Sequence, residues 1–89
     1  MATVLFTGNL QRHVSTPAAD VEAGTVGEAL ARYFDDHPVA RGYVLNNQGE
    51  VRKHMLVLVD GRPIRDRVRL SDEIRPDSEV SVFQALTGG

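Results

Sequence analysis

A single well-marked helix constrains the fold of this chain more than any other feature of its sequence. Thr25 and Glu28 have the spacing of a capping box, in which each side chain can bond a free backbone N–H at the helix start. Pro38 disfavours helical geometry at the residue before it. Between them, one helical face is apolar at Val26, Ala29, Leu30, Tyr33 and Phe34. We therefore predict an amphipathic helix over residues 26–36, the only long helix of the chain.

Short β-prone runs on both sides of this helix predict a small sheet. The predicted strands are residues 3–7, 19–23, 55–59, 62–64 and 79–85. The unbroken apolar run 55–59 is typical of a central strand, and Asp60-Gly61 closes it in a tight turn. A helix on one face of a mixed sheet is the α+β arrangement. We expect one domain over residues 1–85, followed by a flexible tail at 86–89.

Two further stretches are less regular. Residues 42–45 and 51–54 are β-prone and flank an Asn- and Gly-rich turn at 46–50, which predicts a hairpin. Residues 70–74 are interpreted as a single helical turn.

Composition narrows the classes of function. The net charge of −2 gives no support for nucleic acid or an anionic membrane as a partner. No apolar run has the length of a membrane span and none follows a basic leader, so we expect a cytoplasmic protein. The absence of cysteine excludes a disulfide framework, a thiolate metal site and a cysteine nucleophile in this chain. Lys53 is the only lysine, which poorly suits a protein that forms lysine-linked chains with itself.

The tail is unusual for a globular domain because its last two residues are glycines. Residues 80–83 alternate like a half-buried strand and lead towards Gly88 and Gly89. Glycine has no Cβ and contributes little to a core. A flexible tail without bulky side chains at its end suits a carboxylate that enters a narrow active site on another protein.

The order of these elements and three local sequences together resemble a known family. The three are residues 25–30 at the start of the helix, 57–61 at the end of the apolar strand, and the glycines 88–89. They resemble the ubiquitin-like β-grasp sulfur carriers of the MoaD/ThiS type. This group includes the small subunit of molybdopterin synthase, the thiamine sulfur carrier and the cysteine-biosynthesis sulfur carrier.

The resemblance implies a chemistry that occurs on other proteins. An E1-like enzyme uses ATP to adenylate the carboxylate of Gly89, and a sulfur donor converts it to a thiocarboxylate. A sulfur-accepting synthase or large subunit then receives the sulfur. Leu86, Thr87 and Gly88 would thread the partner's active site. The chain itself would be a co-substrate with no catalytic residue, no metal and no bound cofactor.

The resemblance leaves the pathway open. Small subunits of molybdopterin synthase usually have two prolines where Gln84 and Ala85 stand here, whereas some cysteine-pathway carriers have alanine at the position of Ala85. This slightly favours a cysteine-type carrier or another carrier outside the molybdopterin pathway. The alternatives are the small subunit of molybdopterin synthase and, from another class, a ubiquitin-like modifier joined to lysines of target proteins.

Strand alternation predicts a docking surface. If Met55 and Val57 face the helix, Leu56, Leu58 and Phe83 lie on the opposite face of the sheet. A contiguous exposed apolar patch usually marks an interface. We predict that these three residues contact a partner.

The remaining polar residues are more readily explained as structure or surface. His13, His37 and His54 have no metal-ligand spacing, and Asp35-Asp36 suits a solvated helix end. Glu28 already has a role in the capping box. The arginines between residues 62 and 75 are interrupted by acidic residues and are interpreted mainly as a solvated surface, with docking to an acidic partner as the less favoured interpretation.

Overall fold

A computed structural model describes residues 1–7 and 16–84, and these form five strands and two helices. In chain order they are β1 (Ala2–Thr7), β2 (Ala19–Val21), α1 (Val26–Asp36), α2 (Pro38–Val44), β3 (Met55–Val59), β4 (Arg62–Pro63) and β5 (Glu79–Gln84). The order confirms the predicted α+β class, a mixed sheet with its main helix on one face, and adds a second, short helix.

The sheet has the strand order β2-β1-β5-β3-β4. β1 and β5 run parallel, and the other three neighbouring pairs are antiparallel. The apolar run 55–59 is a central strand as predicted, because β3 is paired with β5 on one side and with β4 on the other, while β5 has the middle position of the five. Met55 and Val57 are buried beneath the helices, and Leu56 and Leu58 occupy the other face, which leaves apolar groups there as the run predicted.

The capping box at the start of α1 is present, with one difference from the predicted pattern. The Glu28 backbone N–H donates to Thr25 Oγ1 at 3.2 Å. The Glu28 carboxylate reaches back past the cap and accepts from the Gly24 N–H at 3.1 Å. Glu28 thus has the structural role expected from the sequence, since both bonds satisfy backbone donors at the helix entrance.

A loop from the C-terminal half of the chain also accepts hydrogen bonds from backbone N–H groups in the first turn of α1. Val26 and Gly27 donate their N–H groups to the carbonyls of Asp72 and Leu70, at 3.0 and 2.9 Å. The approach is close, because a Cβ added at Gly27 would lie 3.2 Å from the Leu70 carbonyl oxygen. Glycine at position 27 lets this loop pack directly against the helix backbone.

The core lies between the two helices and one face of the sheet. Its helical part is the predicted stripe, Val26, Ala29, Leu30, Tyr33 and Phe34, all buried. Its sheet part is Val4 and Phe6 of β1, Met55 and Val57 of β3, and Val80 and Val82 of β5. The Tyr33 hydroxyl donates to the Pro17 carbonyl at 2.6 Å, which ties the segment before β2 to α1.

The strand predicted at residues 42–45 is wrong for residues 42–44, which belong to α2, while Leu45 is extended. Pro38 occupies the first turn of that helix, where its missing N–H costs nothing. Ala40 and Val44, one helical turn apart, are both buried in the core. Burial of this face outweighs the β propensity of the stretch. Of the predicted hairpin only a single bridge between Leu45 and Val51 remains, across a turn in which Gly49 has φ +81°.

The helical turn predicted at residues 70–74 is also wrong. Leu70 has φ +56°, in the left-handed region, and Glu73 instead forms an isolated β-bridge with Thr25. The turn lies earlier and is organised by Asp66. Its carboxylate accepts from the Ser71 hydroxyl at 2.5 Å and from the Arg69 N–H at 2.9 Å. The spacing of these partners, three and five residues on, is a turn-capping pattern that a search for helical periodicity misses.

Because of these hydrogen bonds, we expect the free energy of unfolding to depend on pH. The bond from Ser71, followed by that from the Arg69 N–H, lowers the pKa of Asp66 from 3.8 to about 2. Because the folded pKa is depressed, the stabilisation is complete above about pH 4 and is lost as the pH falls towards 2. We expect Asp66→Asn to be less stable than wild type at pH 5, with the difference shrinking by pH 2.5. Urea unfolding at both pH values measures the difference in unfolding free energy. Ser71→Ala removes one of the hydrogen bonds and should show part of the same pH dependence. A difference that is the same at both pH values would contradict the role given to the Asp66 carboxylate.

Candidate docking face and tail

The central strand of the sheet is the last described element before the tail. Gln84, the last described residue, ends β5 and pairs with Met55 at the start of β3. The predicted tail residues Leu86, Thr87, Gly88 and Gly89, and the predicted boundary after residue 85, lie outside the described residues. What the structure shows is the point of departure: the tail leaves from a strand that is paired on both sides.

The face of the sheet away from the helices brings the predicted docking residues together. Leu56 pairs directly with Phe83, and Leu58 pairs with Ser81. Residues paired in this way point to the same face, and both pairs alternate with the core residues Val57, Val80 and Val82. Since β1 also pairs with β5, Leu5 lies beside Ser81 on the same face. We call this set, Leu5, Leu56, Leu58, Ser81 and Phe83, the outer sheet face.

The outer sheet face is apolar and only partly covered. Leu56 is 38% exposed, while Leu5, Leu58 and Phe83 are half-buried. Ser81 is buried although it points away from the core, because Leu5 and Leu58 flank it in the neighbouring strands. The sequence prediction missed Leu5, although alternation with Val4 and Phe6 carried the signal. Whether this face contacts a partner stays a prediction.

The other polar candidates have structural or surface positions. His37 lies at the junction of α1 and α2, where its ring stacks on Tyr33 with centroids 4.5 Å apart. His54 is exposed, and His13 lies outside the described residues. Within residues 1–7 and 16–84, no cluster of three histidines, aspartates or glutamates could hold a metal ion.

The arginines divide into two groups. Arg67 donates to the carbonyls of Arg52 and Met55, at 2.8 and 2.7 Å, and Arg52 donates to the Gly42 carbonyl at 2.9 Å. These side chains hold α2 to the strand that follows it. In contrast, the guanidinium groups of Arg41 and Arg69 are exposed and form no hydrogen bond or ion pair within the described part of the chain.

Comparison with known proteins identifies the family. The model of the ThiS family matches residues 4–89, which include the whole described fold after its first three residues and both terminal glycines. The chain belongs to the ThiS family. Members of the ThiS family are small carrier proteins and are generally not enzymes themselves. None of the curated proteins matches the chain.

Solved structures agree with the assignment to the ThiS family. The crystal structure of small archaeal modifier protein 1 from Haloferax volcanii has a TM-score of 0.78 and 25% identity, covering 99% of this chain and 98% of that one. A chain of the BexX/CysO complex from Amycolatopsis orientalis has a TM-score of 0.82 and 18% identity, covering 100% of both. The small archaeal modifier protein 1 from Methanosarcina acetivorans has a TM-score of 0.80 and 19% identity, covering 99% and 95%. The fold is therefore the ubiquitin-like β-grasp, as the sequence predicted.

The two helices of the described residues are both short. Neither α1 nor α2 is long and apolar enough to cross a bilayer.

Proposed function

We propose that this ThiS-family chain is a sulfur carrier that works through the carboxylate of Gly89. A partner enzyme adenylates the carboxylate with ATP, and a sulfur donor converts it to a thiocarboxylate that supplies sulfur for biosynthesis. One observation carries the proposal: the family match runs through Gly88 and Gly89, on a β-grasp fold whose central strand, β5, is the last described element before that tail.

In the proposed steps, the only reacting group of this chain is its C-terminal carboxylate. A carboxylate oxygen attacks the α-phosphorus of ATP, and pyrophosphate leaves to give an acyl adenylate. Hydrosulfide supplied by the donor then attacks the carbonyl carbon, AMP leaves with the bonding electron pair, and loss of the S–H proton gives the thiocarboxylate. The resulting thiocarboxylate sulfur is itself a nucleophile, so a chain without cysteine can still carry reactive sulfur.

The fold supports this role through the strand that precedes the tail. Val82 of β5 is the last member of the core cluster among the described residues, and β5 ends at Gln84. The outer sheet face lies beside the strand from which the tail departs. We propose that it docks the activating enzyme, because a partly exposed apolar surface of this kind usually marks an interface.

The tail and the fold leave three candidate roles for this chain. A cysteine-type carrier is favoured by Ala85 and by the likeness in fold to a chain of the BexX/CysO complex. The small subunit of molybdopterin synthase is the alternative with the same thiocarboxylate. A ubiquitin-like modifier is the alternative from another class, and the 25% identity to a small archaeal modifier protein favours it. Conjugates on lysines of other proteins would distinguish this last role.

The absence of cysteine makes the proposal easy to test. Iodoacetamide alkylates thiols and thiocarboxylates near neutral pH, and this chain has no thiol to compete. We expect protein purified from its native cells to gain one alkyl group, which peptide mass spectrometry should locate on the C-terminal peptide. Protein lacking Gly89 should gain none. A native protein with an unmodified carboxylate in every preparation, including one supplied with its activating enzyme, ATP and a sulfur donor, would contradict the proposal.

The proposed docking face has its own test. Phe83→Asp places a charge on the outer sheet face, where Phe83 is half-buried next to Leu56. We expect the far-ultraviolet circular dichroism to be retained and affinity for the activating enzyme to fall at least about tenfold. Val39→Asp is the matched control, since Val39 is 65% exposed on α2. If Phe83→Asp unfolds the domain, Phe83 belongs to the core and the docking assignment fails.

A further inference from the structure

A second candidate surface lies on the helical side of the molecule. α1, α2 and the 66–70 loop enclose a groove of about 380 Å³. Leu30, Phe34 and Leu70 form its apolar floor, and Asp35, Arg41 and Arg69 stand at its rim. We call it the α1–α2 groove. None of these residues belongs to the outer sheet face.

The loop that forms one wall of the groove is firmly held. Leu70, in its left-handed conformation, accepts from the Gly27 N–H at 2.9 Å and donates its own N–H to the Asp66 carbonyl at 3.2 Å. A non-glycine residue in this conformation costs energy and persists only where its surroundings impose it. The groove is therefore preorganised in the free protein, and a ligand would not have to order this wall.

The charges at the rim indicate the chemistry of the occupant. The Arg41 guanidinium reaches towards the 46–49 turn, with Nη2 3.9 Å from the position of a Cβ at Gly49. The guanidinium groups of Arg41 and Arg69 bond neither Asp35 nor any other group in residues 1–7 and 16–84. Two unpaired cations beside an apolar floor give the groove a local positive charge, although the whole chain carries −2. Charge complementarity favours an acidic ligand with an apolar anchor.

We propose that the α1–α2 groove docks an acidic segment of a partner protein, with one apolar side chain on the floor and flanking carboxylates paired with Arg41 and Arg69. Arginine suits this task because its planar fork binds carboxylates in a bidentate manner. The exposed Asp35 also lines the groove, and carboxylates of the ligand would avoid it. Because the groove and the outer sheet face lie on opposite sides of the sheet, both can be occupied at once.

The test uses a synthetic probe and the full chain. The probe is a blocked peptide with a central leucine-phenylalanine pair flanked by glutamates and aspartates, and the comparison peptide has lysines in place of the acids. In an amide NMR titration we expect the acidic probe to shift Ala31, Gly49 and Leu70 while leaving Leu56 and Leu58 unchanged. Binding should weaken as salt rises from about 0.05 to 0.5 M, since exposed charges are screened. The lysine peptide should not bind.

Charge reversal assigns the effect to the two arginines. Arg41→Glu combined with Arg69→Glu should weaken binding of the acidic probe at least about tenfold. Arg62→Glu with Arg75→Glu is the matched control, since these exposed arginines lie outside the groove, and should change affinity less than about twofold. Equal affinity in the groove variant, equal binding of the lysine peptide, or shifts confined to the outer sheet face would overturn the proposal. Shifts at the groove that appear with protein concentration alone would identify a second copy as its occupant and overturn it too.

Discussion

Loss of Gly89, or replacement of Gly88 by valine, is expected to abolish ATP-dependent activation of this protein while leaving its melting temperature almost unchanged. Glycine has no side chain to bury, so we expect these changes to cost the core little. Under the proposed function, the two glycines decide whether the carboxylate can reach the adenylating centre of the partner. A misplacement of about 1 Å in such a site already costs on the order of a hundredfold in rate. Pyrophosphate exchange with the activating enzyme measures the effect directly.

The chain offers a matched control for added side-chain bulk. A Cβ at Gly42, on the exposed side of α2, would meet no atom within 4 Å. We therefore expect Gly42→Val to exchange pyrophosphate like the wild type, although it adds the same side chain as Gly88→Val. Equal exchange from the wild type and the Gly89 deletion would contradict the carrier proposal.

Truncation of Leu30 is expected to be among the most costly single changes to stability. Leu30 is fully buried at the centre of the α1 stripe, so Leu30→Ala removes buried methyl groups and leaves a cavity. Such substitutions cost about 2–5 kcal/mol of unfolding free energy. For a domain of this size, we expect the melting temperature to fall by about 10 °C or more. Urea and thermal unfolding measure the two quantities independently.

A neighbouring position on the same helix separates packing from helix propensity. Arg32 is exposed on α1, and Arg32→Ala should change the free energy of unfolding by less than about 0.5 kcal/mol. A loss below about 1 kcal/mol for Leu30→Ala would show that α1 does not supply the core.

The parts of the fold that the sequence predicts are those with strong local signals. The bounds of α1 follow from a capping box, an apolar stripe and a proline, and the structure reproduces them as residues 26–36. The turn at Asp60 and Gly61 is equally well determined, because both residues adopt positive φ, as an Asp-Gly hairpin turn requires. The opposite faces of Met55 and Leu56 follow from strand alternation alone.

The errors arise where tertiary contacts decide the conformation. Residues 42–44 are β-prone by themselves, yet they are helical because Ala40 and Val44 bury one helical face in the core. The 66–70 loop takes its shape from the Asp66 carboxylate and from contact with Gly27, which is distant in the sequence. The order of strands in the sheet also depends on contacts that the local sequence does not show. The apolar pattern of β3 does not reveal that β5 occupies the centre of the sheet.

Under the proposed function, partner enzymes take hold of the tail, and the position of β5 then has a mechanical consequence. β5 is paired over five residues with β1 on one side and over five with β3 on the other. A partner that pulls on the chain beyond Gln84 would load both ladders along their length, so that many hydrogen bonds must break together. A tail attached to an edge strand would instead let the bonds peel away one at a time. The sheet order therefore suits a domain whose terminus is repeatedly drawn into and released from other proteins without being unfolded by the force.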